Sequence, residues 1–141
     1  MGYSEVNPEI KAKIKGLTLT YQDRPQPGLL ITVPNPHEDL VYEERSTYPE
    51  FTCLCPLAPA QPDYATANII YLPKKKVIEL KSLKFYLVSY RQVEIFHEDA
   101  CGKILKDLVD CCEPRWMKVQ LEFTPRGGIK TVVEATYTED R

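Results

Sequence analysis

At 141 residues the chain has room for one domain with a modest core. Its 18 basic and 20 acidic residues give a net charge of −2 and a pI near 5.7, a balance that argues against holding polyanionic nucleic acid directly through phosphate contacts. There is no apolar run of membrane-spanning length and no charged-then-apolar leader, so a cytoplasmic protein is expected, and five cysteines, an odd number, point to reduced thiols.

Pro8, Pro25, Pro27, Pro34 and Pro36 cut residues 1–39 into pieces too short for a long helix, and only residues 29–33 there resemble a strand. Residues 1–39 are expected to be a proline-rich segment packed on a single catalytic domain of residues 40–141. Residues 40–48 and 64–72 are rich in β-formers and predict two strands flanking a loop that holds Cys55 and Asp63. Residues 79–91 repeat Leu80, Leu83 and Leu87 at helical spacing, and residues 95–112 carry Cys101, Ile104, Leu105, Leu108 and Cys112 on one stripe. Residues 118–123 alternate strictly, Gly127-Gly128 punctuates, and residues 130–138 read as a last strand with Thr131, Val133, Ala135 and Tyr137 on one side. The order strand-strand-helix-helix-strand-strand implies an α+β fold, an antiparallel sheet with both helices on one face. Its other face and two edges are left uncovered, so self-association into a ring is expected, with sites at the seams between subunits.

The chemistry starts from Cys55 and Asp63, a thiol and a carboxylate brought together by a proline-stiffened loop. A thiolate adding to a neutral electrophile builds charge that a nearby acid quenches, although a turn Asp beside an ordinary Cys makes the same pattern. On the second helix His97 and Glu98 lie four and three residues before Cys101 and so lean toward the apolar stripe. A carboxylate held there accepts two N–H bonds from a guanidine-like ring edge; equally, an acid in a first turn merely complements the helix dipole. Lys81, Ser82 and Lys84 fall in the first turns of the first helix, a solvated face or a site for dinucleotide phosphates at free N–H groups, and Arg126 in the Gly-flanked turn offers a third cation. No Gly-rich dinucleotide fingerprint is present, which excludes a Rossmann mode of cofactor binding.

Residues 50–56 (EFTCLCP), 61–66 (QPDYAT), 79–86 (ELKSLKFY), 96–99 (FHED) and 123–128 (FTPRGG) together resemble the NADPH-dependent 7-cyano-7-deazaguanine reductases, the nitrile reductases of queuosine biosynthesis, in their short single-module form. The resemblance implies the tunnelling fold and a homo-oligomeric ring, commonly two stacked pentamers. It implies Cys55 as the nucleophile that holds the nitrile carbon as a thioimide, Asp63 as the acid for the nitrile nitrogen, and His97 assisting. It places Glu98 and the backbone around Ile78, Glu79 and Leu80 on the deazaguanine, His97 beside them, and Lys81, Ser82, Lys84 and Arg126 on NADPH, with no metal. Here the loop from Cys55 to Asp63 is one residue longer than is usual in that family, and residue 100 is Ala where a Cys is sometimes found.

Three other readings compete. An amidine-forming relative of archaeosine synthesis would act on the same nitrile without NADPH; a zinc cyclohydrolase would use Cys55, His97 and Cys101 as ligands; a non-catalytic purine-binding ring would need no nucleophile. Among the remaining thiols, Cys101 is expected to reach Cys55 under oxidation, Cys53 to face away from the neighbours of Cys55, and Cys111 and Cys112 to pack.

Overall fold

The computed structural model describes residues 6–140. In chain order the elements are α1 (Pro8–Lys15), β1 (Thr32–Pro34), β2 (Glu44–Cys55), β3 (Ala58–Leu72), β4 (Lys76–Ile78), α2 (Leu80–Val88), α3 (His97–Cys112), β5 (Trp116–Phe123) and β6 (Val132–Thr138). β2, β3, β5 and β6 form one antiparallel sheet in the order β2-β3-β5-β6, and β1 pairs with β4 in a small ribbon. The central pattern of two strands, two helices and two strands is therefore present.

Alternation decides which face meets the helices. Phe51 and Cys53 of β2, Asp63, Ala65, Ala67, Ile69 and Tyr71 of β3, and Met117, Val119, Leu121 and Phe123 of β5 are all buried on one side. Against them pack Leu83, Tyr86 and Leu87 of α2 and Ala100, Cys101, Ile104, Leu105 and Leu108 of α3. The helix stripes read from sequence are thus the core faces. α3 stops where Glu113 takes a left-handed conformation (φ 49°) ahead of Pro114.

The opposite face of the sheet mixes apolar side chains such as Ile70, Leu72 and Trp116 with a bonded polar rung. Thr47, Asn68, Gln120 and Glu134 occupy one rung across all four strands. Thr47 Oγ1 donates to Asn68 at 2.9 Å, Asn68 Nδ2 to Gln120 at 2.9 Å, and Gln120 Nε2 to Glu134 at 2.6 Å. Such a chain fixes register without asking for an apolar cover.

Several boundaries differ from expectation, each for a physical reason. β2 begins at Glu44 rather than residue 40, because residues 35–43 are tied into a loop by Asn35, whose amide donates to the Lys74 carbonyl and accepts from Tyr42 and from the His37 N–H. β2 and β3 run on to a turn at Pro56-Leu57, so the expected loop is a hairpin and Asp63 is a strand residue. Pro59 and Pro62 are tolerated because β3 meets β5 only from Ala65 onward; its first stretch is a two-stranded extension. The added length bulges there: Leu54 faces Pro62 while Cys55 faces Ala58. Residues 29–33 deliver only β1, whose partner β4 has no alternation to betray it, and the first predicted helix ends at Val88 and continues as a 3-10 turn, Ser89–Gln92.

Residues 6–39 lie against α2 and the turn after it. The Ile31 N–H donates to Ser82 Oγ (3.0 Å), the Gln26 N–H to Ser89 Oγ (3.2 Å), Lys81 Nζ to the Ile14 carbonyl (3.0 Å) and Arg91 to Tyr21 (2.7 Å).

Candidate active site

The last residues of β2 are gripped by the segment that leads into α3. The Leu54 N–H donates to the Val93 carbonyl at 2.8 Å, and the Ile95 N–H returns a bond to the Leu54 carbonyl at 3.1 Å. This short parallel bridge delivers the start of α3 beside the β2–β3 hairpin. A cleft of about 250 Å3 results, lined by Cys55, Pro56, Asp63, Ile95, Phe96, His97, Glu98 and Arg126. Five of the residues singled out from sequence, Cys55, Asp63, His97, Glu98 and Arg126, therefore meet in one place.

Asp63 is its centre, a carboxylate only 4% exposed. His97 Nε2 lies 3.2 Å from Asp63 Oδ2, and the Arg126 guanidinium abuts Oδ1. Burial lowers the pKa of His97, with Glu98 pulling the other way, which favours the neutral ring beside the Asp63 carboxylate. Phe123 stacks flat on that ring, centroids 3.6 Å apart and planes 8° apart, which fixes its orientation. Arg126 also donates from Nη2 to Gln61 at 2.6 Å and sits in a tight turn closed by reciprocal bonds to Ile129 at 2.9 Å, possible because Gly127 and Gly128 take φ of 57° and 81°. Phe123 and Gln61 were given no role from sequence: each stood only as a member of a motif, Phe123 also as the end of the alternating run 118–123.

The thiols separate cleanly. Burial pushes Cys53 up to about 12 and Cys101 up to about 11, and both are fully buried, whereas Cys55 is half-exposed in the cleft. Cys53 corrects an expectation: it is buried on the helix-facing side and pairs in register with Asp63, which shares the cleft with Cys55. The link from Cys55 to Cys101 is also corrected. Cys101 points at the Val119 and Val133 carbonyls, 3.4 and 3.6 Å away, over β5 and β6. Two strand spacings, about 9–10 Å, separate β5 from β2, more than a disulfide spans. The same placement takes Cys101 away from any metal set with Cys55 and His97. Cys112 is buried, as a packing residue should be; Cys111 is half-buried, and a hydrogen bond from Cys112 lowers its pKa.

The other predicted residues lie elsewhere. Glu79 is the N-cap of α2, its carboxylate accepting from the Lys81 and Ser82 N–H groups at 2.8 and 2.7 Å. The helix start is therefore already filled, which corrects the idea of free N–H groups waiting for phosphate. Ser82 is fully buried, its hydroxyl bonded to the Glu79 carbonyl at 2.7 Å and accepting from Ile31. The Ile78 N–H donates to the Tyr71 hydroxyl and the Glu79 N–H to the Ile31 carbonyl. Leu80 and Lys84 are exposed and border a second groove with Ser46, Thr47 and Tyr48 of β2. From Thr47 to Cys55 along an extended strand is about 25 Å. Within one chain, the segment 78–84 and the Cys55 cleft are two separate places, and Glu98, expected to be half-buried, is exposed.

The comparisons with known proteins bear on which chemistry this geometry serves. A family model described as "QueF-like protein" matches residues 62–141. The chain is 49% identical over 113 residues, 80% of its length and 86% of the relative's, to an NADPH-dependent 7-cyano-7-deazaguanine reductase of Microcystis aeruginosa. The chain belongs to the QueF-like family. A second reductase of that name, from Trichodesmium erythraeum, is 41% identical across 97% of both chains, so the likeness of this QueF-like protein runs through the N-terminal segment as well. Among solved structures, an archaeosine synthase QueF-Like in the apo form matches with a TM-score of 0.61 at 21% identity, covering 72% of this chain and 96% of that one, a likeness of fold. Among the described residues no helix is long and apolar enough to cross a membrane.

Proposed function

We propose that the protein reduces the nitrile of 7-cyano-7-deazaguanine to the primary amine of 7-aminomethyl-7-deazaguanine with NADPH, a step of queuosine biosynthesis in the cytoplasm. One observation carries this reading: the accessible thiol of Cys55 opens into the same cleft as a buried carboxylate gripped by His97 and Arg126, in a chain whose relatives bear that activity in their names.

In this mechanism the Cys55 sulfur bonds to the nitrile carbon, and Asp63 passes a proton to the nitrile nitrogen, giving a neutral thioimide. His97, neutral and fixed by Phe123, holds Asp63 in line and assists proton delivery. Glu98 and the backbone of Ile78, Glu79 and Leu80 hold the deazaguanine, the carboxylate accepting the paired N–H groups of its guanine-like edge. NADPH, when bound, supplies the hydride for each of two reductions. The cations available for its phosphates are Lys81, Lys84 and Arg126, with Ser82 setting the start of α2; because Glu79 caps that helix, the grip comes from ammonium and guanidinium groups rather than from the helix terminus. These residues suit a polyanion, but in one chain they stand at opposite ends of the sheet.

A second copy resolves the separation. β2 and β6 are free edges, and the polar rung suits the water-lined interior of a closed ring rather than a dry interface. We therefore read the fold as the tunnelling fold, the assembly as a ring, commonly two stacked pentamers, and each site as a seam joining the Cys55 cleft of one subunit to residues 78–84 of the next. We read residues 40–140 as the catalytic domain and 6–39 as a segment packed upon it, residues 1–5 and 141 of the two spans lying outside the described residues.

Intact-mass analysis after incubation with 7-cyano-7-deazaguanine alone tests the first step: a gain of one substrate mass, mapped to Cys55, is expected, followed by NADPH oxidation once cofactor is added. No adduct removes the reading. An adduct that turns over with ammonia but not NADPH establishes the amidine-forming chemistry instead.

A further inference from the structure

Arg126 was singled out in sequence as a cofactor contact, yet its guanidinium lies against the Asp63 carboxylate and is steadied by Gln61 at 2.6 Å. We infer that Arg126 is a positioning residue of the covalent step itself: it keeps Asp63 ionised in the free enzyme, so that this carboxylate first takes the proton of Cys55 and then delivers that same proton to the nitrile nitrogen. The inference rests on the proposed nitrile chemistry and adds to it a residue role.

Charge and proton count decide the role of Arg126. A carboxylate 4% exposed loses most of its hydration and stays anionic only with a countercharge. The groups facing Asp63 are the neutral His97 from α3, the protonated Cys53 opposite it on β2, Cys55 across the cleft, Glu98 at the rim and Arg126 from the β5–β6 turn. Arg126 alone among them supplies a fixed positive charge. The addition is balanced without an outside proton: the S–H bond of Cys55 breaks, an S–C bond and an N–H bond form, and Asp63 ends as the anion it began as. A carboxylic acid at the start could not itself take the Cys55 proton, so the relay needs Asp63 as the anion. The tight Gly127-Gly128 turn explains why the guanidinium can be held so closely: Arg126 projects from a rigid hairpin end rather than from a free loop.

Cofactor binding and this role separate experimentally because the thioimide forms before any hydride moves. Adduct formation is followed by mass and absorbance with no NADPH present, for wild type, Arg126→Gln and Arg126→Lys. Arg126→Gln is expected to slow the adduct by about tenfold or more, with the acidic limb of its pH profile moved upward because Asp63 is then harder to ionise, and Arg126→Lys to recover part of both. Equal rates and superimposed pH profiles in wild type and Arg126→Gln would overturn the inference and leave Arg126 a cofactor contact only. A wild type that forms no adduct would instead strike the proposed function.

Discussion

The two ends of the sheet are built on opposite logic. At the Cys55 end, charge is concentrated and constrained: a buried carboxylate, a stacked imidazole and a guanidinium on a two-glycine turn converge on a thiol that remains reachable. At the Leu80 end the backbone is locked and only part of the charge is held: Glu79 caps α2, Ser82 ties it to Ile31 and Lys81 reaches the Ile14 carbonyl, while Leu80 and Lys84 stand in solvent beside β2. One end is arranged to perform a bond-forming step, the other to present a surface. A surface with a firm backbone and free side chains is what a seam between subunits requires.

The strongest way to break that comparison is to put its two halves in different chains. Cys55→Ala and Lys84→Glu are each expected to abolish reduction as pure proteins. Co-expressed with different tags and purified through both, they should regain about a quarter of wild-type turnover, since random mixing reunites two intact halves at that share of seams. Mixed rings with no activity, from partners that fold and assemble, would show that each chain works alone and that the distance along β2 has another meaning.

A smaller effect sharpens the same contrast at Ser82. If the hydroxyl serves only the fold, Ser82→Ala strands the Ile31 N–H and lowers stability by about 1–2 kcal/mol in urea unfolding while the KM for NADPH holds steady. A raised KM with unchanged stability would mean that the hydroxyl turns outward to the cofactor when it binds.

The reading from sequence reached the core quickly and the site unevenly. Helix faces and the strands over 118–123 and 130–138 were legible because periodicity follows directly from burial: Ile104, Leu108 and Cys112 had to share a stripe, and Val119 and Leu121 a side. The Cys55 segment was misjudged as a loop because its prolines obey a rule about central strands, whereas here they fall on a two-stranded extension that only pairing reveals. That Cys55, Asp63 and His97 act together followed from a resemblance in motifs, not from spacing, and the same resemblance put Arg126 on the cofactor; residues 55 and 63 sit on one hairpin, 126 on another and 97 at a helix start. The roles of Phe123 and Gln61 lie in contacts between elements far apart in the chain, to which local pattern is blind. Cys101 was drawn toward Cys55 by a shared neighbour, His97, but it lies one turn further along α3, against β5 and β6 rather than the β2–β3 hairpin.

The smallest expected effect concerns His97 and acid. Its folded-state pKa is lowered, chiefly by burial, so the unfolded chain binds a proton that the folded ring resists. Unfolding is then favoured by protonation: stability is full above the ordinary histidine range and declines as pH falls through it. His97→Asn, which cannot take the proton, should flatten that decline while leaving the plateau near neutral pH slightly lower through loss of the Phe123 stack. Tm measured across pH 5 to 8, roughly bracketing the histidine range, reads both. A wild-type Tm that instead rises toward acid would mean that the ion pair with Asp63 outweighs burial and that the ring is cationic at rest, in which case His97 rather than Arg126 would be the charge that keeps Asp63 ionised.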